Sequence, residues 1–181
     1  MTFCLCGYFP KNTTSRQEIY DTLGVVDIAS VSTCMAKGPE DWIASWTFND
    51  LGFFDDVDLA EAVVPEQERS LFDIYAYEFL DTRFALGRSE SWKVPRLNCK
   101  PVGSDFDVLG FDVVSKSHSD FFECSPLSCN NATKTFKANA HCLFDAFDDA
   151  VAAAKVFSAE ENWEPGPYYI ARVLRRRRGR A

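Results

Sequence analysis

Val108-Leu-Gly-Phe-Asp-Val-Val114 is an apolar, strand-like run. An alanine-rich run from Asp145 to Ser158 follows it, and then Tyr168-Tyr-Ile-Ala-Arg-Val-Leu174. The middle run carries Phe147, Val151, Ala154 and Phe157 on one helical stripe, with Asp145 placed to cap it and Asp148 and Asp149 facing the positive end of the helix dipole. Pro165-Gly166-Pro167 turns the chain into the last run, which reads as a closing strand. A strand, a helix and a returning strand in this order point to an α+β fold, a mostly antiparallel sheet with two principal helices packed on it.

The rest of the chain is read outward from that core. Phe3 to Phe9 gives a first strand, in which Cys4 and Cys6 share one face. Ser15 and Glu18 form a capping box for a helix that Gly24 ends. Val25 to Thr33 and Trp42 to Phe48 are β-rich. Pro65, with Glu66 and Glu68 behind it, suits the first turn of a helix, and Leu71, Ile74, Tyr75, Phe79 and Leu86 recur at helical spacing. The segment from Pro65 to Leu86 is therefore the longest helix expected. Gly87 to Ser104 reads as a long connection, Cys124 to Asn131 as turns, and no internal repeat stands out.

With 181 residues, 46% hydrophobic and 25% charged, the chain has the composition of a globular protein, and sixteen Phe and four Trp supply a large apolar payload. One domain over residues 1–174 is expected, followed by a basic, disordered tail over 175–181. No apolar run reaches the roughly 18 residues that span a bilayer, so no membrane is expected. Seven cysteines cannot all pair within one chain, and Met1 to Pro10 lacks the basic start of a signal peptide. The expected location is cytoplasmic.

The chemistry-bearing residues concentrate in Cys124, Cys129, His141 and Cys142. Three thiolates and an imidazole are a ligand set that zinc accepts in tetrahedral geometry. The adjacency of His141 and Cys142 works against it, because neighbouring side chains in a strand point to opposite faces. A thiol nucleophile would need His118 or His141 as its base. Asp55, Asp56, Asp58 and Glu61 form one carboxylate group and Asp145, Asp148 and Asp149 another, and helix capping accounts for both. No phosphate-cradling glycine loop, nucleophile elbow or His-Glu-x-x-His occurs.

Net charge is −8, while Arg172, Arg175, Arg176, Arg177, Arg178 and Arg180 gather near the end of the chain. Arginine forks suit phosphates, so nucleic acid could be reached only through Arg175, Arg176, Arg177, Arg178 and Arg180, against the repulsion of an acidic body. The expectation is a small binding protein rather than an enzyme, acting by surface complementarity on a protein partner with a basic surface, in the manner of an inhibitor or immunity-like protein. The rivals are a thiol- or metal-dependent enzyme centred on the cysteine cluster and an accessory nucleic-acid-binding factor.

Overall fold

A computed structural model of the chain describes residues 2–12, 20, 23–32, 48–80, 101–116 and 124–178. Four strands, β1 (Phe3–Asn12), β2 (Phe72–Leu80), β3 (Phe106–Ser115) and β4 (Tyr168–Arg176), form an antiparallel sheet in the order β1-β2-β4-β3. Helix α1 (Val57–Ala62) packs on β1 and β2, and helix α3 (Phe147–Ala159) packs on β3 and β4. A single turn of helix, α2 (Pro126–Cys129), lies between β3 and α3. The α+β fold read from the sequence is the one found.

β2 corrects the sequence reading. Only Glu66–Leu71 turns, as a 3-10 helix, and Phe72–Leu80 is a strand buried at every position. A strand covered on both faces loses its alternation and becomes a near-continuous apolar run, which a helical template also fits. Ile74, Tyr75, Tyr77 and Phe79 are strand-favouring types, and that preference decides the outcome. The helices cover one face, where Leu5, Ile74, Ala76 and Leu174 meet Ala60, and Ile170 and Val113 meet Ala150 and Ala153. On the other face Tyr75, Tyr77, Phe79, Tyr169 and Val173 lie under Ala29, Val31, Leu51, Phe53 and Leu143. Residues 25–32, expected as a strand, cross that second face as irregular chain.

The two halves of the sheet repeat each other, which the sequence reading missed. β1 bulges at Leu5/Gly7 and β3 at Val108/Gly110. At each bulge an asparagine clamps the strand. Asn49 Nδ2 donates to the Cys6 carbonyl (2.8 Å) and to Asp55 Oδ1 (2.9 Å), while its Oδ1 accepts from the Leu51 and Phe53 amides. Asn139 Nδ2 donates to the Leu109 carbonyl (2.9 Å) and to Asp145 Oδ1 (3.1 Å), while its Oδ1 accepts from the His141 and Leu143 amides. Phe54 then bridges to Tyr8, and Phe144 to Phe111. The glycines are required there. With φ of +145° and +152°, a Cβ on Gly7 or Gly110 would sit 2.5 or 2.6 Å from the carbonyl oxygen of Phe54 or Phe144.

Gly7 pairs with Tyr77 and Gly110 with Val173, and Tyr77 pairs with Val173. The central pair thus consists of equivalent residues, and a pseudo-twofold axis passes through it. Asp145 serves the clamp rather than capping a helix: the N-cap of α3 is Ala146, and the carboxylate accepts from Asn139. The expected basic tail begins inside β4, which runs to Arg176. The capping box at Ser15, most of the Trp42–Phe48 run and of the Gly87–Ser104 connection, His118 and Arg180 lie outside the described residues.

Each clamp makes four hydrogen bonds at about 1 kcal/mol net apiece, so Asn49→Ala and Asn139→Ala should each cost roughly 2–4 kcal/mol. Urea denaturation of both variants checks this. Equal losses are expected from the symmetry, and a loss at one site alone would break the equivalence.

Candidate binding surface

The structure does not gather Cys124, Cys129, His141 and Cys142 into one ligand set, and no group of three or more His, Cys, Asp or Glu side chains is placed to hold a metal ion among the described residues. The Cys124 carbonyl takes the Ser115 amide at 2.7 Å. Cys129 Sγ donates to Ser32 Oγ at 3.1 Å. His141 Nδ1 lies 2.8 Å from Asp27 Oδ1. Cys142 is buried beside Leu127, Phe144 and Ala150, and burial pushes its thiol well up, away from the reactive thiolate. The repeat explains the adjacent His141 and Cys142. They are the turn residues of the second clamp, equivalent to Leu51 and Gly52, and Cys142 holds φ +57° where Gly52 holds +84°.

Cys4 is disulfide-bonded, whereas Cys6, Cys124, Cys129 and Cys142 carry their thiols outside any disulfide. Disulfides persist in oxidising compartments and are rare in the cytosol. The cytoplasmic expectation did not anticipate this bond. Among the described residues no helix is long and apolar enough to cross a membrane.

Two buried charges occupy positions where the repeats differ. Lys11 stands where β3 has Val114, and Asp112 where β1 has Phe9. Lys11 donates to the Ser30 carbonyl. Asp112 accepts from the Val31 amide (2.7 Å), the Val113 amide (2.9 Å) and Ser125 Oγ. Ser128 Oγ joins Ser30 and Ser32, and Tyr20 donates to the Ser128 carbonyl. Burial raises the Asp112 carboxyl from its ordinary 3.8 to about 6 and lowers the Lys11 ammonium from 10.5 to about 8. These groups rivet residues 30–32 to α2 and β3, with Asp112 and Ser128 almost wholly hidden from solvent.

The arginines of β4, and the two that follow it, face carboxylates of their own chain. Arg172 meets Glu78, and Arg175 meets Asp27 and Asp73. Arg176 joins Glu61 and Asp105, Arg177 reaches Asp107, and Arg178 holds Asp73 at 2.7 Å. Asp27, Asp73 and Glu78 are buried, so removing their arginines would strand carboxylates away from water. Five arginines against six carboxylates balance to −1, which leaves −7 of the net −8 elsewhere. Asp55, Asp56 and Asp58 beside α1, and Asp145, Asp148 and Asp149 beside α3, are exposed.

Comparison with protein-family models, with curated proteins and with solved structures finds no match.

Two measurements test this account. With one disulfide, a denatured, unreduced chain should alkylate at five of its seven cysteines, and at all seven after reduction. Mass spectrometry that counts seven before reduction would remove the bond. For Asp112, a raised folded pKa means that ionisation opposes folding above about pH 6 and that the penalty is relieved as pH falls toward 4. The wild type should therefore gain about 2 kcal/mol relative to Asp112→Asn between about pH 7 and 4.5. Denaturation at the two pH values checks it, and a pH-independent difference would contradict it.

Proposed function

We propose that this chain is a binding protein that engages a partner with a basic surface by charge and shape complementarity. The observation that supports the reading is the partition of charge. Arg172, Arg175 and Arg176 of β4 are paired with carboxylates of the same molecule, while acidic side chains beside α1 and α3 stand in solvent. An acidic field of this kind accelerates encounter with a cationic surface and repels polyanions.

The inward engagement of the arginines also bears on the nucleic-acid reading. Arg175 and Arg176 lie within β4, with ion-pair partners on neighbouring elements, and a phosphate would have to displace those carboxylates. A site built for phosphates keeps its guanidinium forks open.

The tagged chain, used to capture a protein from its own cells, gives the test. Association with that protein should slow at least about 10-fold between about 50 and 300 mM salt. Replacing Asp58, Asp148 and Asp149 together by Asn should slow association at low salt and leave dissociation within about twofold. Salt-insensitive association would remove the charge-based part of the proposal.

A further inference from the structure

One place departs from the inward pairing of arginines. A cavity of about 720 Å³ opens between α1, the 3-10 turn Glu66–Leu71 and the ends of β2 and β4, lined by Glu61, Arg69, Phe72, Asp73, Ile74, Asp105 and Arg176 to Arg178, with Ser70 at its rim. A smaller space of about 200 Å³ shares Glu61, Arg69, Phe72 and Ile74 with it and adds Val64. The larger volume, about 720 Å³, falls in the range of pockets that hold small ligands, roughly 300–1,000 Å³.

The lining has two chemical halves. Phe72, Ile74 and Val64 are core residues that present apolar surface to the space. Arg69, Arg177 and Arg178, also in the lining, carry N–H donors. Arg69 is exposed and makes no ion pair among the described residues. Arg178 uses Nε on Asp73, and Arg177 uses Nη2 on the Ser104 carbonyl and meets Asp107 only at 3.7 Å. A guanidinium carries five N–H donors, so each of these forks keeps donors for a ligand.

Charge fixes the class of ligand further. Four arginines and three carboxylates line the cavity, an excess of one positive charge on a chain whose net charge is −8. Glu61, Asp73 and Asp105 would repel a polyanion, and the excess matches a single negative charge. The geometry points to a binding site for a small organic acid, whose one anionic group meets Arg69 and Arg178 while its hydrocarbon or aromatic body covers Phe72 and Ile74. A bidentate contact between guanidinium and carboxylate is the strong form of this interaction.

The full-length chain is titrated with 8-anilinonaphthalene-1-sulfonate, a fluorescent monoanion on an aromatic body, followed by displacement with octanoate and with neutral octan-1-ol. Saturable binding of one probe per chain is expected, displaced by octanoate and not by octan-1-ol. Arg69→Gln, which breaks no ion pair and should melt as the wild type does, should weaken binding about 10-fold. The assignment is overturned by non-saturable binding, by displacement with octan-1-ol as readily as with octanoate, or by unchanged affinity in a folded Arg69→Gln.

Discussion

The fold depends on the way one asparagine amide closes each half of the sheet. A bulged strand leaves a carbonyl out of the ladder, at Cys6 and again at Leu109. An asparagine is suited to that carbonyl because its amide carries two donors and an acceptor on one short arm. Nδ2 spans from the orphan carbonyl to the aspartate that follows the turn, and Oδ1 collects two amides inside it. An aspartate in the same place would bring no donor to the carbonyl. The glycine of the bulge is the matching constraint, since only the absence of Cβ lets the turn backbone lie against the strand. Bulge, clamp and bridge together decide where each helix starts and at what register its following strand returns.

The symmetry also makes the differences between the halves informative. A pseudo-twofold pair would be free to keep the same residues at equivalent core positions, yet one half carries Lys11 and Phe9 where the other carries Val114 and Asp112. Those substitutions serve residues 25–32, whose backbone hydrogen bonds run to the second clamp. Val26 and Ala29 donate to the carbonyls of Ala140 and His141, Asp27 meets the His141 ring, and Val31 donates to Asp112. The buried charges therefore belong to the docking of one irregular segment. Lys11 on the Ser30 carbonyl, Tyr20 on the Ser128 carbonyl and Ser32 Oγ on the Ser125 amide satisfy backbone outside the sheet ladder, as buried polar groups must be satisfied.

Much of this fold is legible in the sequence, and the failures have identifiable causes. β1, β3, β4 and α3 follow from apolar runs of the right period and from turn residues. β2 does not, because burial of both faces erases its period. The repeat was available at an offset of 90 residues: Asn49, Phe54, Asp55, Asp58, Ala60 and Ala62 recur as Asn139, Phe144, Asp145, Asp148, Ala150 and Ala152. It is faint because the clamp fixes few side chains. Asparagine, the phenylalanine that bridges, the aspartate and the alanine under the helix are constrained, while Leu51-Gly52 can become His141-Cys142. Read without the repeat, those last two residues look like metal chemistry, and in the fold they are the two positions of a turn.

The same strand order governs the arginines. β4 lies between β2 and β3, so every charge it carries must find a partner within the sheet or at its rim. Arg172 sits opposite Glu78 in the register, and Arg175 lies within reach of Asp27 and Asp73. The buried members of these pairs are the carboxylates Asp27, Asp73 and Glu78, and the half-buried arginines of the central strand are what keeps those carboxylates from lying unpaired away from water. The Arg172 guanidinium also lies over the Phe3 ring, 4.9 Å from its centroid, a cation–π contact. Arg172, Arg175 and Arg176 thus hold the sheet, while Asp55, Asp58, Asp148 and Asp149 stand exposed. That separation follows from the strand order and carries the charge-based reading of how the molecule meets other molecules.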